Sequence, residues 1–245
     1  MLIHGWAMNN QVWGEFASTL AKSYRVICVE LPGHGDSKHI SAWTMDELVG
    51  ALAQQLPSSC HLLGWSLGGM VALAYARRCP QRVDRLLMMA SSAKFVLADD
   101  WQCGQQNEVL KAFIEGMVCK PTSTIKRFIR LQTQGLKSSK AVNESLRDAR
   151  NQGGEGLAAG LLSGLIILQQ ADLRLALAEI SCPALMILGG QDQLIPVEAG
   201  EASQAINTRL KLLIIEAATH VPFLSHQTEV LQGIQQFIAI KEHNL

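Results

Sequence analysis

Between Cys60 and Arg78 the sequence CHLLGWSLGGMVALAYARR changes character once. Cys60–Trp65 is nearly continuously apolar, as a strand buried on both faces reads, and the stretch from Leu67 on is rich in Ala and Leu, as a helix reads. They meet at Gly64-Trp65-Ser66-Leu67-Gly68, with Gly69 next. A strand that turns at once into a helix crowds its own backbone, and glycine alone lacks the Cβ that would collide there. A serine at the apex of such a turn stands above the carboxyl edge of the sheet. The N-terminal N–H groups and positive dipole end of the following helix lie beside it.

G-x-S-x-G between strand and helix is the nucleophile elbow of an α/β-hydrolase. The competing explanation is a Gly-Ser turn of structural use only, which the flanking strand and helix disfavour. The rest of the chain repeats the alternation. Strand-like runs are expected at Leu2–His4, Arg25–Leu31, Cys60–Trp65, Arg85–Ala90, Ala184–Leu188 and Leu210–Glu216. Helices are expected at Asn10–Lys22, Met45–Leu56, Leu67–Arg78, Val197–Ile206 and Thr228–Lys241. That order predicts an α/β fold, a mostly parallel sheet flanked by helices with right-handed crossovers. From about Ser92 to Ser181 the alternation stops, and the segment reads as helical throughout with no clear strand. We expect a core at residues 1–95 and 180–245, with a helical cap inserted at 96–179.

A nucleophilic serine needs a base and an acid that orients it, and in this fold they follow in the order Ser, acid, His. Beyond the insertion, LGGQDQLIP places Asp192 just past ALMIL, and EAATHVPF places His220 just past LKLLIIE. Both fall in loops at strand carboxyl ends, where open α/β sheets carry their sites. Asp148 and Asp172 lie in the insertion, Glu198 falls on the next helix, and His226 falls six residues past His220. His4, His34, His39 and His61 precede the acid, and His243 lies near the end of the chain. Ser66, Asp192 and His220 are therefore the expected triad. The N–H of Leu67 and that of Trp6, in the loop after the first strand, are the expected oxyanion donors. His4 is expected to shape that loop, as is LPGHGDS at Leu31–Ser37, which lacks the spacing of a nucleotide-binding loop.

Lys and Arg number 21, as do Asp and Glu, so the formal net charge is zero and general nucleic-acid or membrane-surface binding is disfavoured. The charge is unevenly spread. Lys120–Arg150 holds eight basic residues against two acidic ones, a balance of +6 that leaves −6 for the rest. Arg127 and Arg130 lie at helical i, i+3 spacing, with Lys126 at i−4 from Arg130, and Lys137 and Lys140 follow. Such a face is either plain solvated surface or a landing area for an acidic macromolecule. Six cysteines without C-x-x-C spacing read as reduced thiols of a cytosolic protein. MLIHGWAMNN lacks the basic start and long apolar run of a signal peptide, and no stretch is long and apolar enough for a membrane span. No metal or organic cofactor is expected, and the chain is expected to act as a monomer.

These residues together resemble the α/β-hydrolase superfamily over essentially the whole chain. HGWAMNNQVW, LPGHGDS, LGWSLGGMVA, RFIRLQTQG and THVPFLSH resemble the BioH family, pimeloyl-[acyl-carrier protein] methyl ester carboxylesterases of biotin synthesis. The tryptophan before the nucleophile and the F-x-x-L-Q run are the more specific parts. The resemblance implies hydrolysis of the methyl ester of pimeloyl-acyl-carrier protein, with small esters as side substrates. It also implies substrate contacts from Trp6, Ser66, Leu67 and His220, with Phe128, Ile129, Arg130, Leu131 and Gln132 lining the acyl channel. From the basic face, carrier-protein contacts would come from Arg127, Arg130, Lys137 and Lys140; of the arginines of the family cap, Arg127 matches one, while Ser123, Lys140 and Glu144 occupy the places of others. Family members carry two further strands before the HGW strand, so either the start is misassigned or Leu2–His4 is expected at an exposed sheet edge. A general short-chain carboxylesterase, a carbon–carbon bond hydrolase and a hydrolase-fold receptor without turnover are the rival readings.

Overall fold

The computed structural model describes residues 1–37, 42–137, 139–153 and 156–239. Six parallel strands form one sheet in the order β2-β1-β3-β4-β5-β6. They are β1 (Leu2–Ile3), β2 (Cys28–Val29), β3 (Cys60–Trp65), β4 (Val83–Met89), β5 (Ala184–Gly189) and β6 (Lys211–Ile215). The central runs are apolar because both faces are covered. Leu62, Leu86, Met88, Met89, Met186, Ile187 and Leu188 are completely inaccessible to solvent.

The helices of the α/β alternation are α1 (Gly14–Leu20), α2 (Met45–Gln55) and α3 (Leu67–Arg78). Thr44 starts α2 with a capping box: its hydroxyl accepts from the Glu47 N–H while the Glu47 carboxylate accepts from the Thr44 N–H. Between β4 and β5 come α4 (Asn107–Cys119), α5 (Pro121–Gln132), α6 (Ser139–Gln152), α7 (Ala158–Gln170) and α8 (Arg174–Glu179). Then follow α9 (Val197–Ile206), α10 (Pro222–Ser225) and α11 (Gln227–Ala239).

Several expectations need correction. β1 is not at the edge: it is flanked by β2 and β3, and β2 is the edge. Arg25–Leu31 yields only a two-residue strand, since β2 pairs on one side alone, with a two-residue partner: Leu2 with Cys28 and Ile3 with Val29. The first helix is broken, a 3₁₀ turn at Asn10–Trp13 passing into α1 at Gly14, whose φ of +24° disfavours a side chain. The insertion is not helical throughout. Residues 92–106 are irregular and hold three isolated bridges, Lys94 to Asp172, Val96 to Gln105 and Ala98 to Trp101. His39, His243 and the last two residues of the expected Thr228–Lys241 helix lie outside the described residues.

The chain just past β4 and the chain entering α8 are clamped together. Asp172 accepts from Lys94 Nζ at 3.0 Å and from Arg174 at 2.7 Å, and Arg174 also pairs with Asp100 at 2.9 Å. The Arg174 guanidinium beside Asp172 holds that carboxyl well below the usual range, with Lys94 adding to it.

Candidate active site

β3 ends at Trp65 and α3 begins at Leu67, so Ser66 makes the whole turn, with φ +56° and ψ −120°. Among the described residues three non-glycine residues have positive φ, and all adjoin this place: Ala7 (+59°), Ser66 and Ala90 (+45°). Backbone strain of this kind persists where the surroundings over-determine it. Here they do. A Cβ at Gly64 would collide with the Gly68 carbonyl, and one at Gly68 with the Ile3 carbonyl. The Ser66 N–H donates to the Met89 carbonyl at 2.9 Å, and its own carbonyl accepts from the Ser91 hydroxyl at 2.7 Å.

Ser66 Oγ lies 2.9 Å from His220 Nε2, and His220 Nδ1 lies 2.8 Å from Asp192 Oδ2. The other Asp192 oxygen accepts from the Leu194 and Ile195 N–H groups at 2.8 and 3.1 Å, so the carboxylate is fixed and aimed. The His220 and Asp192 side chains are wholly buried, and Ser66 is 5% exposed. With Nδ1–H donating to the carboxylate, Nε2 presents its lone pair to the hydroxyl. This set can take a proton from Ser66 and return it to a leaving group.

The backbone of His220 is held from two sides. Trp65 Nε1 donates to its carbonyl at 2.7 Å, and its N–H donates to the Gln132 carbonyl at 3.2 Å. Behind it Trp65, Trp13 and Phe223 pack ring on ring, with centroids 4.9 to 6.3 Å apart. Trp65 and Ser91 are positioning residues that sequence reasoning missed. Trp65 had a signal, its place directly before the nucleophile; Ser91 had none, because its contact spans 25 residues.

The loop after β1 runs beside the nucleophile: a Cβ on Gly5 would lie 3.2 Å from Ser66 Cβ. Leu67, first residue of α3, has no intrahelical acceptor for its N–H. His4 does shape this loop. Its Nε2 accepts from the Leu31 N–H at 3.1 Å, which leaves Nδ1–H to donate to the Gly5 carbonyl at 2.8 Å. Burial, helped by repulsion from His34, pushes its pKa down to about 3, and burial pushes His34 to about 4. Both rings are therefore neutral at pH 7.

Among the competitors, Asp172 is in the clamp and Glu198 on the first turn of α9. Asp148 is exposed on α6, and His226 meets Ser225 Oγ at 2.9 Å. Of the expected acyl-channel residues, Phe128 meets Trp6 edge to face at 4.8 Å, Ile129 and Gln132 are buried, and Leu131 is half-buried. Arg130 is exposed on the opposite side of α5 with Lys126 and Arg127. Arg127 and Arg130 line one wall of a groove of about 640 Å³ whose other wall carries Ser139 and Asn143. Lys137 lines a neighbouring cleft of about 690 Å³ with Gln191, Glu216 and His226. Among the described residues no three His, Cys, Asp or Glu side chains converge as a metal site, and no helix is long and apolar enough to cross a membrane.

Residues 1–227 match the alpha/beta hydrolase fold family. A relative from Methylococcus capsulatus, named pimeloyl-[acyl-carrier protein] methyl ester esterase, is 35% identical over 98% of this chain and 94% of its own length. The protein of the same name from Nitrosomonas europaea is 36% identical over 92% of this chain and 89% of its own. Among solved structures, an esterase from Exiguobacterium antarcticum superposes with a TM-score of 0.87 over 98% of this chain and 91% of its own, at 22% identity. A bromoperoxidase from Bacillus anthracis does so at 0.88 over the same shares, at 21% identity. At such identities these two likenesses speak to the fold alone.

Proposed function

The chain belongs to the α/β-hydrolase family and, within it, to the BioH family, and from that premise we propose that it hydrolyses the methyl ester of pimeloyl-acyl-carrier protein to the free acid and methanol. The observation that carries the chemistry is the unbroken hydrogen-bonded series from Ser66 Oγ through His220 to Asp192. The names of the relatives support the substrate.

Ser66 Oγ attacks the ester carbonyl while His220 Nε2 takes its proton. Asp192 holds the imidazole in the Nδ1–H tautomer and stabilises the imidazolium. The N–H groups of Trp6 and Leu67 face the oxygen that becomes negative. The tetrahedral species collapses, the C–O bond to the methoxy group breaks, and the His220 proton leaves with it as methanol. Water then attacks the acyl-enzyme, giving a proton to His220 that returns to Ser66 Oγ as the acid departs. Phe128, Ile129, Leu131 and Gln132 line the path of the acyl chain. The carrier protein docks on the basic face, where Arg127, Arg130, Lys137 and Lys140 are all exposed. Six free cysteines and the absence of a membrane-spanning helix among the described residues support a cytoplasmic place of action.

Labelling with a serine-reactive phosphonate, read by mass at Ser66, tests the nucleophile. Methanol release from the carrier-linked ester tests the substrate. Labelling without methanol release would leave a serine hydrolase of another ester. An unlabelled, folded protein would leave a binding protein without turnover.

A further inference from the structure

Trp6 is where the oxyanion loop and the inserted helices meet. Its side chain is completely buried. Its indole Nε1–H donates to the Leu161 carbonyl on α7 at 2.7 Å, although 155 residues separate them. One turn further along α7, Gly164 stops the same indole. A Cβ there would lie 2.7 Å from Trp6 Cδ1, 3.4 Å from Trp6 Nε1 and 3.1 Å from Leu67 Cδ2. Phe128 of α5 closes on the ring edge to face, and Ala7, at φ +59°, fixes the chain just beyond. Glycine is a poor residue inside a helix, so its place in mid-α7 calls for a reason, and the contact supplies one.

A single helix position thus touches both residues whose N–H groups are the oxyanion donors of the proposed reaction. We infer that Gly164 is a positioning residue for the oxyanion hole: with the Leu161 carbonyl it lets α7 set Trp6 and Leu67 in place beside Ser66. The inference rests on the serine-esterase reading given above. Stabilisation of a developing charge depends on donors standing 2.7–3.1 Å from the oxygen's eventual position, so a small displacement weakens the transition state more than the ground state. The inserted helices then contribute to rate as well as to substrate recognition.

The test is Gly164→Ala, assayed on a small free methyl ester so that carrier docking does not enter. Complete loss of one oxyanion donor costs about 10²–10³ in kcat. A displaced donor should cost about tenfold, with KM within about threefold. Affinity for a trifluoromethyl ketone, whose serine adduct puts an oxyanion in the same hole, should fall in parallel. Gly160→Ala on the same helix is the control. Its Cβ would meet Gly33 Cα at 2.5 Å, so it should lose stability and keep kcat. Unchanged kcat in Gly164→Ala, a loss confined to KM, or an equal kcat loss in Gly160→Ala overturns the inference. Should either glycine variant not fold, Trp6→Phe decides. It removes the indole N–H that holds Leu161 and adds no volume. Parallel loss of kcat and ketone affinity supports the inference, and unchanged values overturn it. Phosphonate labelling of the unaltered protein separates the two levels: without it the esterase reading falls, and with it only the positioning role is at stake.

Discussion

Ser66, Asp192 and His220 stand on loops with almost no freedom, whereas Arg127, Arg130, Lys137 and Lys140 stand exposed on and between α5 and α6. The first set is held by strained backbone at Ser66, glycine contacts with no room for a Cβ, and hydrogen bonds to both carboxylate oxygens of Asp192 and both ring nitrogens of His220. The second set faces solvent, where charges attract a partner over a Debye length of about 8 Å and hold little geometry. Chemistry needs fixed distances, and recognition of a charged protein needs a field. On the proposed function each has the element that suits it, and the two meet at α5, whose Phe128 faces Trp6 while Arg127 and Arg130 face outward.

The division can be broken most sharply at the triad. Ser66→Ala and His220→Ala should each lower kcat by ~10⁶ on carrier-linked and free esters alike, since triad members act as one unit. Asp192→Asn should cost less, ~10⁴, through the wrong tautomer. Steady-state assays on purified, folded variants check this, with His226→Ala retaining most activity. A dead His226→Ala beside an active His220→Ala would mean that the wrong histidine has been chosen.

On the exposed side, Lys137→Glu with Lys140→Glu should raise the KM for the carrier-linked ester about tenfold and leave the free ester unchanged. Arg127→Glu with Arg130→Glu should do the same, with an added stability loss because the Arg127 guanidinium lies 5.2 Å over the Phe113 ring. Equal losses on both substrates would erase the distinction between the two regions.

Two smaller effects are read in stability. Ser91→Ala removes the hydroxyl donor of the buried Ser66 carbonyl, which keeps the Gly69 N–H at 2.9 Å, and should cost about 1 kcal/mol in urea unfolding. His4 and His34 have folded pKa values of about 3 and 4, below the ordinary 6.5. The unfolded chain therefore binds more protons, and stability is present above pH 6.5 and lost as pH falls toward the folded values. Between pH 7 and 5.5 the loss should be roughly 1 kcal/mol per histidine, and His34→Gln should remove its share. A flat profile across that range would contradict the burial of both rings.

What could be read from sequence follows the same division. β3 and α3 were predicted to the residue because a fully buried strand and an elbow leave apolar runs and glycines in fixed places. Ser66, Asp192 and His220 were found by order along the chain, and their side chains do meet. Arg25–Leu31 predicts a longer β2 than forms, since an edge strand with one short partner has apolar residues but little pairing to extend it. The irregular 92–106 segment reads as helix because its structure comes from contacts between separated residues: Trp101 Nε1–H donates to the Lys94 carbonyl, Arg174 lies over the Trp101 ring, and Lys94 Nζ pairs with Asp172. Of the contacts of long separation, Trp65 to the His220 carbonyl is marked only by the tryptophan's place before the nucleophile, and the Leu161 carbonyl that Trp6 meets has no local pattern to mark it.

The most direct test of the central claim is to compare carrier-linked pimeloyl methyl ester with the free methyl ester on the unaltered enzyme, at low and at high salt. kcat/KM for the carrier-linked ester should be the higher at low salt and fall steeply as salt is added, while that for the free ester stays level. Equal salt responses, or a preference for the free ester at low salt, would contradict that claim.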